Sequence, residues 1–135
     1  KGQVAPLQVR YYIAAADVAV VPTPSRDPAM QNFPNGKGEA PLLGFGTPMK
    51  LLEYMAAGAN VVATDIAAHR EVLNSKNATI VEPDSSKALA SGIRTVLGLT
   101  KAQRAKRAVL LKKAAIPFDW MGRSIPIIEK IGRVQ

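Results

Sequence analysis

Apolar residues fall along this chain in two alternating patterns: short unbroken runs and longer stretches at helical spacing. Val18-Ala19-Val20-Val21, Asn60-Val61-Val62-Ala63-Thr64 and Ala78-Thr79-Ile80-Val81 are the short runs. Pro22 closes the first and Glu82-Pro83-Asp84 the third, and each run predicts a strand buried on both faces. Helix-compatible segments precede, separate and follow them. Leu7 to Ala16 follows Pro6, and Ile66 to Leu73 makes a short helix. Thr47 as N-cap, Pro48 as first helical residue and Gly58 as stop bracket a helix over Met49 to Ala57. Asp84 or Ser85 caps a helix running to about Leu97, in which Ala88, Leu89, Ile93, Val96 and Leu97 keep helical spacing. Thr100 caps a Lys- and Arg-rich helix to about Ala115, with a weaker stripe of Ala108, Leu111 and Ala115. Phe118-Asp119-Trp120 marks a corner packed on the core. Ile127, Ile128 and Ile131 belong to a last helical segment that Pro126 either opens or kinks.

Alternation of buried strands with helices predicts an α/β fold, a Rossmann-like parallel sheet flanked by helices. Only three strands are visible, and a sheet of that size leaves an apolar edge open. The chain is therefore read as part of a larger domain; a compact domain on a small sheet is the alternative. Residues 22 to 46 break both patterns. Pro22, Pro24, Pro28, Pro34 and Pro41, with Asn35-Gly36, Gly38, Gly44 and Gly46, exclude a helix or central strand there. A loop of this length is either functional or a surface insertion.

The stretch richest in chemistry is GFGTPMKLLEYMAAG, residues 44 to 58. A glycine-rich turn leads directly into a helix N-terminus, where unpaired amides and the positive end of the dipole favour an anion. Lys50 sits in the first turn. A cation there opposes the dipole by roughly 0.3–1 kcal/mol, and a bound phosphate would reverse that sign. Glu53 lies one turn on, along the same face, and a carboxylate there can accept from two vicinal hydroxyls, as a ribose offers. The plainer reading pairs Lys50 with Glu53 at i+3 on a solvated surface.

The segment GFGTPMKLLEYMAAGANVVATDIAAHREVL resembles the donor-binding signature of family 4-type (group 1) glycosyltransferases of the GT-B fold. YYIAAADVAVVPTPS before it, ATIVEPDSSKALASGI after it and FDWMGRSIPIIEKI near the end are similar to that family's flanking segments in the same order. The resemblance covers residues 9 to 131. It implies that Glu53 contacts the donor's ribose hydroxyls and that Lys50, with the backbone around Thr47 and Pro48, lies beside the diphosphate. It also implies that Gly44, Phe45 and Gly46 form the loop passing the sugar and phosphates. Many members carry a second Glu where this chain has Phe45; Glu39 is a candidate substitute. On this basis residues 1–115 are expected to be a partial nucleotide-sugar-binding domain and residues 116–135 a closing C-terminal helix. The implied reaction is retaining transfer of a sugar from a nucleotide diphosphate, with Lys50 and Glu53 as the catalytic-site residues. The nucleotide sugar is then a substrate, no separate cofactor or metal is implied, and the missing N-terminal part of the same protein is a partner. The chain by itself is expected to be inactive.

Composition changes the picture in two places. The 135 residues include no cysteine, which excludes a disulfide scaffold, a thiolate metal site and a cysteine nucleophile. No apolar run approaches the roughly 20 residues that span a bilayer. The expected location is the cytoplasm, with membrane association as a further option. The net charge of +8 favours anionic partners. Much of it comes from Lys101, Arg104, Lys106, Arg107, Lys112 and Lys113 on one late helix. That helix reads either as a solvated face or as a surface drawn to an anionic membrane. Interleaved aromatics are absent, so nucleic acid is not an expected partner. His69, the only histidine, lies beside Arg70 and Glu71 and is expected on the surface or in helix packing. A non-catalytic nucleotide-binding or scaffolding module of the same fold is the alternative function.

Overall fold

The computed structural model describes residues 2–25 and 49–119, together with Gly122, Ser124 and Ile125. The element order is α1 (Pro6–Ala15), β1 (Ala19–Val21), α2 (Met49–Ala57), β2 (Val61–Thr64), α3 (Ala67–Arg70), β3 (Thr79–Val81), α4 (Ser86–Leu97) and α5 (Lys101–Ala115), closed by a 3-10 turn over Ile116–Phe118. The sheet runs β1-β2-β3 with both pairs parallel. Ala19 stands opposite Val61 and Val21 opposite Ala63, while Val62 faces Thr79 and Thr64 faces Val81.

That register sorts the strand residues onto two apolar faces, as continuous apolar runs require. Ala19, Val21, Val61, Ala63 and Ile80 point to one side, where Leu51 and Met55 of α2 and Leu111 of α5 complete a core with Val72, Leu73 and Ala78. Val62 and Val81 point to the other side, where Val96 of α4 is buried and Ala88, Leu89 and Ile93 pack around it. Phe118 packs against the first core, as its place at the predicted corner requires. Trp120 and the segment carrying Ile127, Ile128 and Ile131 lie outside the described residues.

Local sequence chemistry sets most element ends. Ser85, not Asp84, caps α4, accepting from the Ala88 amide at 3.1 Å. Thr100 and Gln103 form a reciprocal capping box on α5 at 3.3 and 2.9 Å. Gly58 ends α2 with φ +70, the left-handed conformation a side chain disfavours. The helix expected over residues 66 to 73 is shorter. The Val72 and Leu73 amides both converge on the His69 carbonyl, at 3.2 and 2.8 Å, and turn the chain inward after α3.

Candidate functional site

In a parallel sheet covered by helices, every helix that follows a strand starts near the sheet's C-terminal edge, and ligand crevices form there. Three residues, Gly58 to Asn60, join the end of α2 to the start of β2, so α2 returns along the sheet and its first turn lies toward that edge. Lys50 and Glu53 are on this first part of α2, and both are exposed. Their neighbours Leu51 and Met55 are fully buried, which fixes the rotation of the helix and turns Lys50 and Glu53 to solvent. Among the described residues no salt bridge joins the two side chains or engages either of them. Gly44, Phe45, Gly46, Thr47 and Pro48, and Glu39 before them, lie outside the described residues.

The remaining polar groups at this edge hold the strand ends together. His69 is completely buried. Its Nδ1 lies 2.7 Å from the Thr64 carbonyl, an acceptor, so Nδ1 carries the proton and donates. Nε2 is then the acceptor for the Thr23 hydroxyl at 3.3 Å. The Thr64 hydroxyl closes the ring by donating to the Thr23 carbonyl at 2.6 Å. One histidine therefore ties the ends of β1 and β2 together from beneath. The expectation of a surface position for His69 does not hold; its burial among apolar residues does fit a packing role. The signal was present in the sequence. Ala68, His69, Val72 and Leu73 are all buried and recur at helical spacing, with Arg70 and Glu71 on the exposed side.

Asp84, the other capping candidate, does something the sequence did not reveal. It adopts φ +57, rare for a residue with a side chain. Its carboxylate accepts from the Ser25 amide, at 3.3 and 3.2 Å to the two oxygens, and from the Ser25 hydroxyl. The segment leaving β1 is thereby pinned to the turn leaving β3.

Asp65, just past β2, is gripped by Arg70 through two parallel N–H donors. The hydrogen bond from Arg70 holds the Asp65 carboxyl below its ordinary range; partial burial opposes this, and the arginine's charge adds to it. A lowered folded-state value means that the pair's stabilisation is present above the ordinary carboxylate range and is lost as pH falls through the folded value. The pair is largely exposed, so the effect on stability is small. Arg70→Gln is expected to raise the Asp65 titration midpoint toward the ordinary value, as read by carboxyl carbon NMR. An unchanged midpoint would mean that the grip is not populated in solution.

The family model of glycosyl transferases group 1 matches residues 1–98 of the chain. No curated protein sequence matches it. Among solved structures, sucrose-phosphate synthase from Thermosynechococcus elongatus is similar with a TM-score of 0.71 and 20% identity, over 99% of this chain and 29% of that one. The likeness is one of fold, and the chain spans less than a third of the length of that protein.

Proposed function

The chain belongs to the group 1 glycosyl transferases, and from that premise we propose that it supplies part of the donor site of a retaining glycosyltransferase. The donor is a nucleotide diphosphate sugar, and further sequence supplies the acceptor side. The observation that carries this reading is the placement of Lys50 and Glu53 one turn apart on the exposed side of α2, at the sheet edge where ligands bind, without an ion-pair partner among the described residues. The plainer Lys50–Glu53 pairing is not formed, which leaves the cation for a phosphate and the carboxylate for a ribose.

The chemistry follows from charge. When the bond between the anomeric carbon and the diphosphate oxygen breaks, negative charge grows on the diphosphate. In this reading Lys50 and the amides of the first turn of α2 stabilise that charge. Glu53 would accept from the ribose hydroxyls and hold the nucleotide end, so that the reacting bond is fixed relative to Lys50.

Titration of UDP and GDP into the 135-residue chain tests the binding half of this reading. Lys50→Ala is expected to weaken diphosphate binding about tenfold, the magnitude of one hydrogen bond to a charged group. Glu53→Gln is expected to weaken UDP and GDP while leaving inorganic pyrophosphate unaffected, because pyrophosphate has no ribose. Equal weakening of pyrophosphate by both variants would sink the assignment of Glu53. Unaltered nucleotide affinity in Lys50→Ala would sink that of Lys50.

A further inference from the structure

The six basic residues of α5 divide into two groups with different tasks. Arg104 and Arg107 turn inward. Arg104 donates to the Leu97 carbonyl at 2.8 Å and the Leu99 carbonyl at 3.2 Å, and Arg107 donates to the Thr79 hydroxyl at 2.9 Å. They tie α5 to the end of α4 and to β3. Lys101, Lys106, Lys112 and Lys113 are exposed, the stem of Lys112 lying over Gly58 at the end of α2, and no salt bridge holds them among the described residues.

Helical geometry places these four lysines in one arc. At 3.6 residues per turn they all fall within roughly 80° of Val109, on the side opposite the buried Leu111. Ala102, Ala105 and Val109 run down the middle of that arc, and Ile116, which keeps helical backbone angles, extends the line. Val109 is 67% exposed and Ile116 61%. The outer face of α5 is thus an apolar spine with lysines along both flanks. Acids interleaved with the lysines would pair with them and lower the face's charge. The sequence KAQRAKRAVLLKKAA contains no acid at all.

We propose that this outer face of α5 docks on an anionic lipid bilayer surface. The lysines meet the headgroup phosphates, and Val109 and Ile116 reach the boundary between headgroups and acyl chains. The exposed apolar area is small and α5 is only weakly amphipathic, so charge supplies most of the attraction. The proposed contact is peripheral; among the described residues no helix is long and apolar enough to cross a membrane. A nucleic acid would meet the same lysines but gains nothing from exposed aliphatic side chains, and the face has no aromatic residue on which a base could stack. The proposal does not depend on the donor-site reading, and its test needs neither nucleotide nor acceptor.

The test is sedimentation of the 135-residue chain with phosphatidylcholine vesicles and with vesicles of equimolar phosphatidylcholine and phosphatidylglycerol. The anionic vesicles should carry the protein down and the neutral ones should not. Raising the salt from about 0.1 to about 0.5 M should release it. Lys106→Gln combined with Lys113→Gln should lower partitioning roughly 25-fold, about fivefold for each lysine near the surface. Lys87→Gln combined with Arg94→Gln removes the same charge from exposed positions on α4, across the sheet, and should leave partitioning within about twofold. Circular dichroism verifies that both variants are folded. Failure to bind anionic vesicles at low salt overturns the proposal. Equal losses in the two double variants also overturn it, since binding would then follow net charge and not this face. Tighter binding to duplex DNA than to the vesicles, lost on the α5 substitutions, would reassign the face to nucleic acid.

Discussion

Leucine at position 92 is expected to destabilise the chain by about 3 kcal/mol, with the folded form barely populated if the total stability is at the low end for a small domain. Gly92 is the buried residue at which α4 crosses the sheet. A Cβ there would lie 2.5 Å from Cγ1 of Val81 and 3.0 Å from Cγ1 of Val62. Both are β-branched strand residues with stiff side chains, so neither can swing aside. To restore ordinary contact α4 must retreat by about 1 Å, which strips dispersion contact from the whole of this layer. Val96 would lose its fit against Val62 and Val81, and so would Ala88, Leu89 and Ile93 around it. Alanine at position 92 separates the two opposing effects. Its better helix propensity favours the variant by about 1 kcal/mol. The overlap of a single methyl costs about 1–3 kcal/mol. A net loss of about 1 kcal/mol is therefore expected for alanine and a much larger loss for leucine, read as the midpoint of urea unfolding. If alanine stabilised the chain, α4 would sit further from the sheet than the structure places it.

Gly92 also marks the limit of what was legible in the sequence. The three strands and the helices around them follow from apolar runs that alternate with capped amphipathic stretches. Ser85, Thr100 and Gly58 announce three of the ends because each satisfies, or frees, specific backbone groups. The helix stripe of Ala88, Leu89, Ile93 and Val96 was readable by its spacing, but a glycine in its middle reads only as a weak point. Its purpose appears once Val62 and Val81, distant in sequence, are seen beneath it. The same holds at the sheet edge. The exposed position of Lys50 and Glu53 on α2 was legible because a helix start and a one-turn spacing are local features. The Ser25–Asp84 bond and the His69 ring join residues 59 and 46 positions apart, and local pattern carries no information about such pairs. Asp84 was readable as a cap, since Asp is a common N-cap, yet the neighbouring Ser85 takes that role and leaves Asp84 to reach across. On α5 the charge was visible from the start. Its division into two inward arginines and four outward lysines required the positions of Leu97, Leu99 and Thr79.

His69→Ala is expected to lose about 3 kcal/mol or more, measured by urea unfolding, because it creates two defects at one place. The imidazole is fully buried, and its removal leaves a cavity that rigid strand ends cannot collapse to fill; large-to-small substitutions at such sites cost about 2–5 kcal/mol. It also strands the Thr64 carbonyl, which loses the Nδ1 donor at 2.7 Å, and a buried acceptor without a partner costs about 1–3 kcal/mol. The Thr23 hydroxyl is only partly buried and can turn to water, so the loss of Nε2 matters less. Asparagine and leucine at position 69 tell the two defects apart. The asparagine amide can stand where Nδ1 stands and donate to Thr64, but it fills less space. Leucine fills most of the space and donates nothing. If the hydrogen bond dominates, asparagine should be the milder of the two; if packing dominates, leucine should be. The geometry favours asparagine, since the Thr64 carbonyl sits at the end of the central strand, where water cannot replace the donor. Leucine should also loosen the contact between the ends of β1 and β2, seen as faster amide exchange at Asp65 and Ile66, the residues that lead from β2 into α3. Should alanine, asparagine and leucine prove equally stable, within about 0.5 kcal/mol of the parent, the histidine would not be what joins β1 to β2 at the edge where the donor site is proposed.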